Sequence, residues 1–108
     1  MSPFVQLVQP SGIFNGSKAN QLRRYIDDLV NTGVDIVLID LQDVTFMDSS
    51  GLGALIAAQR IVRAANCKLF ICSVNDQVKM LFDINKMNRL FEIFADQEEF
   101  NNTVIFQK

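Results

Sequence analysis

The first regular pattern along the chain is an alternation. In "FVQLVQ", Phe4 to Gln9, apolar and polar residues exchange places as in a half-buried strand, which predicts a strand near 4–8. "QPSGIFNGS" then supplies turn chemistry through Pro10, Gly12 and Gly16. From Ser17 the period changes. Ala19, Leu22, Tyr25, Ile26, Leu29 and Val30 recur at helical spacing, Arg23, Arg24, Asp27 and Asp28 turn away from them, and Gly33 is placed to stop the helix. "VDIVLIDL", Val34 to Leu41, is apolar on both faces for most of its length, which predicts a central strand covered by helices on each side.

The second half continues the exchange of periods. After "QDVTFMD", Ser50 to Ala65 carries Leu52, Leu55, Ile56 and Val62 on one side and Gln59, Arg60 and Arg63 on another, the pattern of a second helix. "CKLFICS" reads as a strand, and "NDQVKMLFDI" as a short helix with Val78, Leu81 and Phe82 inward. "LFEIF" reads as a last short strand. "DQEEFNNTVI" reads as a terminal helix whose Asp96, Glu98 and Glu99 suit its positive end. Strands alternating with helices predict one α/β domain over 1–108, with a mixed, mostly parallel sheet of about four strands and about four helices. Its expected core includes Leu22, Ile26, Leu38, Leu55, Ile56, Phe70 and Phe82.

Composition narrows the picture. A chain of 108 residues with 49% hydrophobic and 20% charged residues has the make-up of an ordinary globular domain with one core. The net charge of −2 leaves no basic footprint for nucleic acid. The beginning, "MSPFVQLVQP", lacks the basic start and continuous apolar stretch of a signal peptide, and no run is long enough to span a bilayer, so a cytoplasmic protein is expected. Cys67 and Cys72 flank "KLFI" at an odd separation. On a strand they point to opposite faces and cannot pair, so both are read as buried free thiols. With no histidine and two cysteines, no zinc site is expected, and no cofactor motif is present.

The candidate chemistry sits in "DVTFMDSSGLGAL", Asp43 to Leu55, where an apolar strand-like run gives way to a helix. A serine nucleophile needs a base, most often histidine, and the elbow Gly-x-Ser-x-Gly is absent. A phosphate loop needs Gly-Lys-Ser/Thr, and a dinucleotide fingerprint needs a third glycine where Ile56 stands. Asp40, Asp43 and Asp48 could line a metal pocket at the end of the central strand. The simpler reading is that Asp43 makes a turn and Asp48 caps the helix. A Ser-Ser pair entering a helix commonly serves as a cap as well. The physical reading of these residues therefore stops at an exposed serine at the carboxyl edge of an α/β sheet, where ligand and partner sites gather.

"VDIVLIDLQDVTFMDSSGLGAL" closely resembles the signature of the STAS domain of bacterial anti-sigma-factor antagonists, and the likeness extends more loosely to "QPSGIFNGSKANQL" and to "KLFICSVNDQVKMLFDINKMNRLFEIF". The resemblance implies a partner-switching regulator rather than an enzyme. In that family the unmodified domain binds an anti-sigma factor that is also a serine kinase and so frees the sigma factor. The kinase phosphorylates the serine after the aspartate, which falls on Ser49 here, and a serine phosphatase restores it. By the same resemblance the docking surface takes in Asn15, Gly16, Asp48, Ser49, Ser50, Gly51, Leu52 and Gly53, with Ser50 the more structural of the two serines. The alternative within the resemblance is a ligand- or lipid-trafficking-associated STAS module without a phosphoswitch. Two departures stand out: Asn15 takes the place of a common aspartate, and the segment before it is too short for the usual opening hairpin. The second predicts one strand fewer at the sheet edge.

Overall fold

In a computed structural model of the chain, residues 3–106 are described. Strand β1 is Val5–Val8, followed by β2 (Gly12–Phe14), α1 (Gly16–Leu29), β3 (Ile36–Asp40), β4 (Val44–Met47) and α2 (Ser49–Ala64). Then come β5 (Lys68–Cys72), α3 (Asp76–Ile84), a 3-10 turn at Met87–Arg89, β6 (Ile93–Phe94) and α4 (Gln97–Phe100), which runs on as one π turn over Asn101–Ile105.

The main sheet has the order β1-β3-β5-β6, and each of its described pairings is parallel. This is the mostly parallel sheet of about four strands that the sequence predicts. The central strand falls as expected: β3 lies between β1 and β5, and all five of its residues are buried. Such burial on both faces is what an uninterrupted apolar run is suited to. On one face of the sheet, Val37, Ile39, Leu69 and Ile71 meet Leu22, Ile26, Leu55, Val62 and Phe82 from the helices. On the other, Ile36, Leu38, Phe70 and Cys72 meet Phe94 and Phe100. The Phe70, Phe94 and Phe100 rings lie 5.5–5.8 Å apart between centroids, within the range where tilted aromatic pairs attract.

The expected core residues are buried with one exception. Ile56 is half-buried and packs on the margin of the core, because the inward stripe of α2 runs through Leu52, Leu55, Ala58, Gln59 and Val62. The two cysteines lie on opposite sides of the sheet, as their spacing predicts, but Cys67 is only half-buried. Among the described residues β1 has no further strand beside it.

The second sheet was not legible as a separate element. Strands β2 and β4 form a parallel two-stranded ribbon in which Ile13 lies opposite Phe46 and Phe14 opposite Met47. Gly12 begins β2 at φ +74, which a glycine adopts without strain, and its amide donates to the carbonyl of Asp43 at 2.8 Å. Because the strands are parallel, both deliver the chain to the same end of the ribbon. There the starts of α1 and α2 are set side by side.

Candidate functional site

The site is built where β4 ends. Asp48 holds an extended backbone, φ −101 and ψ −177, and its Oδ1 accepts the Gly51 amide at 2.9 Å. The helix cap is therefore Asp48, and neither serine fills that role. An aspartate here satisfies one of the free amides of the first turn and adds negative charge at the positive end of the helix. Ser49 is the first residue of α2 and is exposed, so its hydroxyl faces solvent without a structural task.

Ser50 is also exposed, yet it looks across to α1. A β-carbon placed on Gly16 would lie 3.9 Å from both the Cβ and the Oγ of Ser50. The two residues share a shallow cleft of about 410 Å³ with Asn20, Arg23 and Gly53. The Arg23 guanidinium donates to the Asn20 side chain on the α1 side of that cleft. Asn15 occupies the position before α1 and uses its carbonyl, not its side chain, to receive the Ala19 amide at 2.7 Å. Its exposed side chain is left facing outward beside the same helix starts.

The two glycines of the motif do different things. A β-carbon on Gly51 would meet the Phe14 carbonyl oxygen at 2.4 Å, the Phe14 ring at 2.7 Å and Met47 Cγ at 2.8 Å, so only glycine lets α2 lie this close to the ribbon. Gly53 is exposed and nothing lies within 4 Å of where its β-carbon would be. A glycine inside a helix costs roughly 0.5–1 kcal/mol relative to alanine, and nothing in the fold requires it at 53. Leu52 is not part of the surface: it is buried beneath the helix with Leu55. Of the residues expected to form the docking surface, the structure gathers Asn15, Gly16, Asp48, Ser49, Ser50 and Gly53 on the outside. Gly51 and Leu52 are placed underneath as support.

Two residues that the motif does not contain hold the site in place. The Gln77 side chain on α3 behaves like a strand for the free edge of β4: its Oε1 accepts the Met47 amide at 2.9 Å and its Nε2 donates to the Met47 carbonyl at 2.8 Å. Asn75 caps α3 by accepting the Val78 amide and donates its own amide to the Val44 carbonyl at 3.0 Å. The only cue in the sequence was an amide-rich "NDQ" before an apolar stripe, which reads equally well as a plain helix start.

The three acids weighed as a metal pocket are separate. Asp40 is buried, accepting the Gln42 amide at 2.9 Å and Gln97 Nε2 at 2.6 Å. Asp43 is exposed and accepts from Gln9, while Asp48 is the cap. Among the described residues no cluster of three or more His, Cys, Asp or Glu side chains could hold a metal. Burial pushes the Cys72 thiol up to about 11. A hydrogen bond with Ser73 opposes the shift and the nearby Asp40 carboxylate adds to it. This thiol is packed as an apolar group. Among the described residues no helix is long and apolar enough to cross a membrane.

Comparison with known proteins gives a consistent result. The chain matches the STAS domain family over residues 3–100. It is 30% identical to an anti-sigma-B factor antagonist of Bacillus subtilis, over 84% of this chain and 83% of that protein. A structure of the Bacillus cell fate determinant SpoIIAA in its phosphorylated form superposes with a TM-score of 0.71, at 16% identity, over 94% of this chain and 93% of that one. The sulfate transporter family protein from Wolinella succinogenes superposes with a TM-score of 0.79, also at 16% identity, over 88% of this chain and 80% of that one. At such identities the two structures show a common fold and no more. The fold, the exposed serine beside the Asp48 helix cap and the extent of the sequence match agree: the chain belongs to the STAS domain family.

Proposed function

We propose that this chain is a phosphorylation-controlled partner-switching regulator. The unmodified form binds an anti-sigma factor that is also a serine kinase, and so releases a sigma factor. Transfer of a phosphoryl group from ATP to Ser49 Oγ ends that binding, and a serine phosphatase restores it. The observation that carries this reading is an exposed Ser49 at the first position of a helix capped by its neighbour Asp48, in a chain 30% identical to an anti-sigma-B factor antagonist.

The physics of the site suits a switch of charge rather than of fold. A phosphoryl group adds about −1.5 to −2 charges, and a helix N-terminus favours an anion by about 0.3–1 kcal/mol. Ser49 makes no side-chain contact whose loss would loosen the core, so the domain keeps its structure. At an interface the same dianion sits beside the Asp48 carboxylate and must be desolvated, and about 1.4 kcal/mol of repulsion already weakens binding tenfold.

The test is incubation with the anti-sigma serine kinase of the source cell and ATP, read by intact mass and peptide mapping. One phosphate on Ser49 is expected. No phosphate, or a phosphate on Ser50 with Ser49 unmodified, would remove Ser49 from the role given to it here.

A further inference from the structure

A kinase that phosphorylates Ser49 has to rest on the surface around it, and the surface nearest the hydroxyl is a poor base for an interface. Asn15, Gly16, Ser49, Ser50 and Gly53 offer polar atoms and bare backbone. A stable interface takes about 800 Å² from each partner and is apolar at its centre. The exposed apolar side chains next to this site lie on the ribbon and on α3. Ile13 is 56% exposed, Phe46 47%, Met80 61% and Ile84 71%.

Their places in the fold put these four residues on the ribbon and on the helix that flanks it. Ile13 and Phe46 are register partners on adjacent parallel strands, and neighbouring strands lie about 4.7–4.9 Å apart. Helix α3 flanks the other edge of β4, held there by Gln77 on Met47. At about 100° per residue, Ile84 and Met80 fall roughly 20° and 60° to one side of Gln77. The buried Val78 and Phe82 fall roughly 100° and 140° to the other side. Met80 and Ile84 are thus on the outer flank of the helix that adjoins β4, away from the core. Both strands of the ribbon run toward the site, Ile13 lying just ahead of Asn15 and Phe46 just ahead of Asp48 and Ser49. Phe4, by contrast, sits at the amino end of β1, the opposite end of a parallel sheet from the α2 start.

We propose that Ile13, Phe46, Met80 and Ile84 form the apolar docking surface on which the Ser49 kinase seats, and that this band selects the cognate kinase while Ser49 supplies the switch. The inference rests on the reading of Ser49 as phosphoacceptor. The partner it fits presents an apolar face beside its phosphoryl-transfer cleft. No part of the band enters the chemistry, so its removal acts through docking.

The test uses the purified anti-sigma serine kinase that phosphorylates the wild-type chain, with Phe46→Ser, Met80→Gln and the double variant. Leu7→Gln, a partly exposed position on β1, serves as the control. All variants are expected to keep the wild-type circular dichroism and urea midpoint, since none of these side chains is in the core. The double variant is expected to lose at least tenfold in kcat/KM for Ser49 phosphorylation, through KM with kcat retained. Its Kd for the ADP-bound kinase is expected to rise to match, and Leu7→Gln to behave as wild type. If wild type is phosphorylated on Ser49 and the double variant matches it in KM and Kd, the docking surface is refuted and the phosphoacceptor reading stands. If wild type is not phosphorylated on Ser49, both fall. If light scattering shows a wild-type dimer that the double variant dissociates, the occupant is a second copy of the chain and the kinase assignment is overturned.

Discussion

Two glycines in one turn of α2 are expected to respond to the same substitution with opposite signs. Alanine in place of glycine inside a helix gains about 1 kcal/mol from propensity alone. At 53 the added methyl meets nothing within 4 Å, so Gly53→Ala should stabilise the domain by roughly 0.5–1 kcal/mol and raise the melting temperature by roughly 2–4 °C. At 51 the methyl would sit 2.4 Å from the Phe14 carbonyl oxygen, a backbone atom that cannot swing aside. Helix α2 would have to lift from the ribbon. Overpacking of this kind costs about 1–3 kcal/mol, and strain on the Asp48 cap adds up to about 2 kcal/mol, against the gain of about 1 kcal/mol. Because the obstacle is backbone, the overpacking cost lies at the upper end of that range, and Gly51→Ala should destabilise by roughly 2–4 kcal/mol. Urea denaturation followed by circular dichroism measures both. A Gly51→Ala protein as stable as wild type would refute the claim that this glycine exists for close approach. If Gly53 is kept bare for a partner, Gly53→Ala should also bind the anti-sigma kinase more weakly while being the more stable protein.

Other consequences are equally direct. Gln77→Leu leaves the buried Met47 amide and carbonyl without their partner, and should cost about 2 kcal/mol in urea denaturation as well as slow Ser49 phosphorylation by loosening the end of β4. Asp48→Ala should lose about 0.5–2 kcal/mol with the cap, whereas Asp48→Asn keeps the accepting oxygen and should stay within a few tenths of wild type in the same assay. At pH 8 an alkylating reagent should label the half-buried Cys67 in the native protein and reach Cys72 only on unfolding, as peptide mass mapping would show. The Cys72 thiol is raised from 9.0 to about 11, so its contribution to stability is full below pH 9 and is lost as the pH rises toward 11. Urea midpoints should fall over that window in wild type more than in Cys72→Ala.

What the sequence reveals here depends on how local the determining physics is. Helices α1 and α2 and strands β3 and β5 each carry their own apolar period, so they could be placed within a few residues. The ribbon could not. Strand β2 is three residues set among turn-formers, and it becomes a strand only because β4, some thirty residues away, lies beside it. With Ile13 and Phe46 facing outward and Phe14 and Met47 inward, its pattern has too few positions to show a period. The terminal helix is shorter than the acidic start and apolar tail suggest, because after Phe100 the chain widens into a π turn that sets Val104 and Ile105 against the sheet. At the site, the motif located Ser49 and the Asp48 cap. The supports at Gln77 and Asn75 were invisible, since they depend on which loop α3 packs against. Leu52 belongs to the motif yet lies in the core, because a run of residues entering a helix divides between its two faces.

The claim on which the account turns is that charge at Ser49 alone switches partner binding in a domain that stays folded. Calorimetric titration of the anti-sigma kinase against unmodified, Ser49-phosphorylated, Ser49→Ala and Ser49→Asp protein tests it most directly, with circular dichroism on each form. Wild type and Ser49→Ala are expected to bind alike, since the exposed hydroxyl supports nothing in the core. Ser49→Asp, with one charge where phosphate carries nearly two, should bind more weakly than wild type, and the phosphorylated form should bind at least tenfold more weakly than wild type. Equal affinity for the unmodified and phosphorylated proteins, both folded, would contradict the account and leave Ser49 as an ordinary first residue of a helix.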